Sequence, residues 1–321
     1  MKKKIRLASV LFMATLFLLA CTSPETAEEQ NENIHIVTSM FPVYEITKEI
    51  ASDQADISVM VGANEDAHHF EPSAKAVASV NEADVFIYSS DEMEFWVESL
   101  LSVVENDDLI VVELGKGIDF EMHSEEDGDH DHAEHDDDHH SHDGHDHGSL
   151  DPHFWLNPVS VEKQLHLIVD ALLQVDEAGK DIYEEEAVRF SKELLEIDQA
   201  YTEAFDSVTN RSFVVQHQAF GHLATQYDLD QVAIGGLTTE VEPNPNQLAQ
   251  IVEFINDQQL PVIYYQSGES SAIAETISNE TGTSIGILYD LESLPVEFED
   301  AEQPYLAAMK ENLEQLKQSI R

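Results

Sequence analysis

The sequence predicts an α/β protein with mostly parallel sheets. Short apolar, β-branched runs alternate along the chain with segments whose apolar residues recur at helical spacing. Strand, helix, strand, helix is the pattern of a parallel sheet covered by helices. It runs through both halves of a 321-residue chain, a length for one large or two modest domains, and 42% hydrophobic residues is enough for real cores.

The first expected strand is 34–38, and the helix 40–51 follows with Val43, Ile46 and Ile50 as its apolar positions. His35 reads as an outward or satisfied strand residue. Strand 57–61 runs into a loop carrying His68 and His69, and a helix with Ala74, Val77 and Val80 starts at Ser73. Residues 83–88 and 109–114 are further strands. Helical spacing covers 161–173 and then a longer run between charges, 181–205. The second half has strands at 211–215, 229–234, 261–265 and 284–289, with helices at 247–256 and 272–280. An amphipathic helix, 305–320, closes it. In open parallel sheets ligands sit beyond the carboxyl ends of strands, where His68 and His217 fall. His69 reads as a solvent-facing neighbour, His222 as a helix-surface or packing residue, and Glu242 suits a helix start.

Charge narrows the partners. Fifteen basic residues face 65 acidic ones, a net charge of −50. Phosphate binding needs clustered Lys and Arg, so nucleic acid is excluded; an acidic surface concentrates cations. Residues 122–148 hold nine of the 16 histidines: His123, His130, His132, His135, His139, His140, His142, His145 and His147. Asp, Glu, Gly and Ser fill almost every other position, so the stretch has nothing to pack a core and reads as a solvated loop. A spacer has no need of histidine at every second or third position. Neutral imidazole is a ligand for zinc, copper and nickel, and the loop is read as an auxiliary metal-handling tract.

The N-terminal 20 residues have the parts of a signal peptide: Lys2, Lys3, Lys4 and Arg6, then an apolar stretch too short for an ordinary membrane span. It ends Leu18-Leu19-Ala20-Cys21, which resembles a bacterial lipobox and implies cleavage before Cys21 and lipid attachment on its sulfur. Cys21 is the only cysteine, so no intramolecular disulfide forms. The polar, acidic residues that follow read as a tether. The expectation is a body lipid-anchored to the outer face of the bacterial cell membrane.

Two signatures flank the histidine-rich stretch. Asp66-Ala67-His68-His69-Phe70-Glu71-Pro72-Ser73 resembles the Asp-Pro-His-x-Phe-Glu-Pro-Ser motif of metal-binding solute receptors of bacterial ABC importers, of the ZnuA and AdcA type. Ala67 replaces the usual proline, which should loosen the turn. Asp151-Pro152-His153-Phe154-Trp155-Leu156-Asn157-Pro158 matches the second motif, with Asn157 for Asp. His217-Gln218-Ala219-Phe220-Gly221 resembles the third, with Gln218 for Asp. The resemblance covers the chain from about Ile34 onward. It implies two lobes, each a mostly parallel sheet flanked by helices, joined by one long helix that permits only small relative motion, with a metal cleft between them. The implied divisions are signal peptide 1–20, tether 21–33, first lobe 34–175 including the 122–148 loop, connecting helix 176–207 and second lobe 208–321.

The resemblance also implies a ligand set: His68, His153 and His217, with a fourth ligand after the last strand. Glu292 is preferred there and Asp290 is the alternative. Three imidazoles and one carboxylate suit tetrahedral Zn²⁺, whereas manganese prefers more oxygen ligands, and manganese members place a carboxylate where His217 stands. The implied function is a monomeric high-affinity zinc receptor that delivers Zn²⁺ to an ABC importer's membrane permease. A manganese or iron receptor of the same family, or a metal-binding surface adhesin, is the alternative. An enzyme is not expected: there is no His-Glu-x-x-His helix motif, and four protein ligands would close the site to water.

Overall fold

The computed structural model describes residues 33–63, 65–118, 150–237 and 243–321. The expected signal peptide, Cys21, the tether up to residue 32, the 122–148 loop with its nine histidines, and Glu242 lie outside the described residues.

Two four-stranded parallel sheets repeat one topology. In the first, β1 (Ile34–Thr38) lies between β2 (Ala55–Val59) and β3 (Val85–Tyr88), and β4 (Ile110–Glu113) forms the far edge. In the second, β5 (Ser212–Val215) lies between β6 (Asp230–Ala233) and β7 (Val262–Gln266), with β8 (Ser284–Leu288) outermost. Each sheet thus has a switch point, β1/β3 and β5/β7, where successive connections leave in opposite directions and a crevice opens at the carboxyl ends.

Partners set the strand bounds. β2 starts at Ala55 rather than 57 because it pairs in register with all of β1, Ile34 against Ala55 through Thr38 against Val59. The backbone N–H groups of Met60 and Val61 still donate, but to Thr38 and Ser39 at the end of β1, so the chain leaves the sheet there.

Helices α1 (Phe41–Ala51), α2 (Ala74–Asn81) and α3 (Val97–Leu101) belong to the first sheet. Next come α4 (Pro158–Val175) and α5 (Lys180–Phe205). The helices α6 (Gly221–Gln226), α7 (Pro245–Gln258), α8 (Ala272–Thr281) and α9 (Pro304–Leu316) complete the chain. Two of them start earlier than apolar spacing predicts, because caps extend them. The Asn157 side chain accepts from Val159 and Ser160 N–H ahead of Pro158. Asn244 and Gln247 form a reciprocal capping box around Pro245.

The 26-residue α5, about 39 Å long at 1.5 Å per residue, buries Tyr183, Phe190, Leu194, Ile197, Tyr201 and Phe205. It packs on α1, α4 and α9, so one apolar core is continuous from the first sheet into the second. Tyr201 Oη donates to the Met309 carbonyl of α9 at 2.8 Å. Nearby, Arg189 of α5 reaches Glu49 of α1 at 2.6 Å and Glu186 and Glu193 of its own helix at 2.6 and 2.8 Å, and Gln303 Nε2 donates to Glu49 and Glu193. A smaller core around Val214, Ile234, Ile251, Ile255 and Ile263 belongs to the second sheet alone.

Candidate metal centre

Four segments converge, three of them beyond strand ends. The loop after β2 carries His68, and the segment ahead of α4 carries His153. The β5 exit carries His217, and the β8 exit carries Asp290 and Glu292. One donor atom from each of His68, His153, His217 and Glu292 lies within 4.8 Å of the other three. All three imidazoles are buried, and Glu292 is nearly so.

Glu292 Oε1 stands 3.2 Å from His153 Nε2, 3.6 Å from His68 Nε2 and 3.7 Å from His217 Nδ1. A tetrahedral ion with bonds of about 2.1 Å has donor–donor edges of about 3.4 Å. The three edges at Glu292 fall around that length. His68 Nε2 is a buried nitrogen with no hydrogen-bond partner. A buried polar atom without a partner is costly, and a cation at this point would satisfy it. Asp290 differs from Glu292: its Oδ2 lies 3.3 Å from His217 Nδ1, and it does not join the four-atom group.

Neighbours turn two of the rings. His153 Nδ1 meets Asp151 Oδ1 at 2.7 Å, and the same oxygen accepts the His153 backbone N–H at 3.0 Å. His217 Nε2–H donates to the Leu237 carbonyl at 3.0 Å, which leaves Nδ1 facing the centre. Such partners fix the tautomer and strengthen the donor. Neither Asp151 nor the Leu237 carbonyl is assigned this role by sequence reasoning. The repeated Asp-x-His at 66–68 and 151–153 is the signal that could have found Asp151.

The 151–157 segment is also bonded into the second half. Trp155 Nε1 donates to the Asp290 carbonyl at 2.8 Å, Tyr305 Oη to the Trp155 carbonyl at 2.5 Å, and His222 Nε2 to the Asp151 carbonyl at 2.8 Å. His222 therefore sits against the site's scaffold and not in the four-atom group. His69 is exposed, with Nδ1 at 3.1 Å from Asp66 Oδ2, and His35 Nδ1 faces the Glu82 carbonyl.

Electrostatics follow from this packing. Burial alone would lower the His153 pKa, but the Asp151 and Glu292 carboxylates outweigh it and push it up to about 10. Burial likewise opposes His217, and Asp290 and Glu292 raise it. Burial would raise Glu292; His153, His68 and His217 outweigh it and hold its carboxyl well below the usual range. Asp151 and Glu292 thus favour the protonated form of the His153 ring. At the rim, the exposed Glu269 is raised by partial burial and by Asp290, Glu292 and Asp66, a negative mouth that attracts cations.

The family model of ZnuA, zinc-uptake complex component A, periplasmic, matches residues 36–319. The chain belongs to the ZnuA family. Among its relatives, the zinc-binding lipoprotein AdcA of Streptococcus pneumoniae is 37% identical over 99% of this chain, which spans 61% of that relative's length. The high-affinity zinc uptake system protein ZnuA of Bacillus subtilis is 34% identical over 98% of this chain and 97% of its own. The crystal structure of the Zn(II)-bound ZnuA-like domain of S. pneumoniae AdcA superposes with a TM-score of 0.73 at 34% identity, covering 89% of this chain and 98% of that one. The expected family and fold, two parallel sheets with a long helix between them, are therefore shown.

Proposed function

We propose that this ZnuA-family chain is an extracytoplasmic zinc receptor that hands Zn²⁺ to the membrane permease of an ABC importer. The observation that carries the reading is the set of three buried imidazoles and one carboxylate within 4.8 Å. His68, His153, His217 and Glu292 are the proposed ligands, with Asp290 close to His217 and outside that set. Nitrogen-rich, four-donor chemistry favours zinc over manganese, which takes more oxygen ligands. The relatives' names, zinc-binding lipoprotein and high-affinity zinc uptake system protein, agree with it.

Lipid attachment at Cys21 would hold the body at the membrane's outer face, and residues 122–148 would supply auxiliary histidines. The receptor acts as a monomer, and no reaction is catalysed: four protein donors leave no open position for an activated water.

The test is elemental analysis with chelator competition on the purified protein and on protein lacking residues 123–147. One tightly held zinc should survive loop removal. Replacing His68, His153 and His217 together by alanine should abolish it, and undiminished zinc affinity in that triple variant sinks the proposal.

A further inference from the structure

We propose that Trp96 is a positioning residue for His68; this rests on the zinc reading above. The His68 loop follows β2, and two of its hydrogen bonds are internal. Asp66 Oδ1 accepts the His68 backbone N–H at 2.8 Å, and Gly62 N–H donates to Glu65 Oε2 at 2.8 Å. Internal bonds give the loop a shape without fixing where that shape sits on the sheet.

Trp96 supplies a fixed point. Its indole Nε1–H donates to the Ala67 carbonyl at 3.2 Å, one residue before His68 and 29 residues away in sequence. The same indole meets the Phe70 ring edge-on, with centroids 5.1 Å apart. One side chain therefore grips the loop on both sides of His68. The bond is buried, with Ala67 1% and Trp96 8% exposed, so water does not compete for it.

Trp96 is itself anchored. The turn between β3 and α3 folds around the buried Glu94 carboxylate, which accepts the backbone N–H groups of Ser89 at 3.0 Å and Ser90 at 2.8 Å. Val97 N–H then donates to the Glu94 carbonyl at 2.9 Å. The position of His68 is thus referred to the end of β3 through Glu94, Trp96 and Ala67. Alanine at 67 leaves φ free where a proline would restrict it. The indole supplies a comparable restraint from outside the loop.

The test is zinc release from the loaded full chain into excess chelator, followed by stopped flow. The slow phase reports the cleft and the fast phases the weaker histidines. Trp96→Phe keeps the ring against Phe70 and removes the donor. Its slow phase should accelerate about three- to tenfold, the range set by one hydrogen bond, while the thermal midpoint of the metal-free protein stays near wild type. Adding Ala67→Pro to Trp96→Phe should recover most of the loss. A slow phase unchanged by Trp96→Phe overturns the inference, and so does an acceleration that Ala67→Pro leaves in place. A wild-type protein with no slow phase would instead overturn the zinc reading itself.

Discussion

His68 and His153 each follow an aspartate by two residues. In each segment that aspartate's Oδ1 accepts the histidine's own backbone N–H, at 2.8 Å and 3.0 Å. Beyond that shared turn the two diverge. Asp151 also holds the His153 ring, and three hydrogen bonds tie its segment to β8, α6 and α9 surroundings. Asp66 instead turns its second oxygen outward to His69, and the His68 ring keeps an unpartnered Nε2. Taken as the ligands proposed above, the same short motif gives a ring held by its own aspartate in one place and a ring without that hold in the other. What separates them is not the local sequence but what each segment packs against.

Single substitutions test this contrast most strongly. His153→Ala should weaken zinc binding by more than the ~100-fold that bounds the loss of an outer partner, and more than His68→Ala does. It also strands Asp151 and Glu292 without their shared partner. Equal losses in a chelator-competition titration would break the contrast.

The aspartates come next. Asn keeps an oxygen for the backbone N–H but gives up the charge. Asp151→Asn should cost about 10- to 100-fold in zinc affinity, whereas Asp66→Asn should stay within about twofold, as for a surface change. A large loss at Asp66 would show that its charge also serves the centre.

The third test is proton linkage. His153 is raised above its ordinary pKa to about 10. In the metal-free protein the charged ring therefore stabilises the fold fully below about pH 6.5, and that contribution fades as pH rises through 10. Zinc must expel the same proton. Between pH 7 and 9 its affinity should climb about tenfold per unit for each proton released. Calorimetry at pH 8 in buffers of different ionisation enthalpy should count at least one, and a count of zero would remove Asp151's distinctive role.

Much of this was legible in the sequence, and the rest was hidden for physical reasons. Short apolar, β-branched runs exposed all eight described strands, because strands of a helix-covered parallel sheet read as near-continuous apolar runs. Asn157-Pro158 and the Asn244-Pro245-Asn246-Gln247 box were readable as helix starts, yet apolar spacing alone placed both helices late. The four proposed ligands stood in motifs and at strand ends, and motif resemblance preferred Glu292 to Asp290 without deciding between them. That choice turns on how the β8 exit bends toward three rings from elsewhere. The Trp96–Ala67 and His217–Leu237 contacts span 29 and 20 residues, and no local pattern encodes them.

Arg189 has one further consequence. It serves three carboxylates at once, in a chain with only 15 cationic side chains for 65 acidic ones. Elsewhere most acids must rely on dissolved sodium or potassium for neutralisation. Brine should therefore steady this molecule rather than loosen it, because screening relieves repulsion across the surface faster than it weakens the Arg189 cluster.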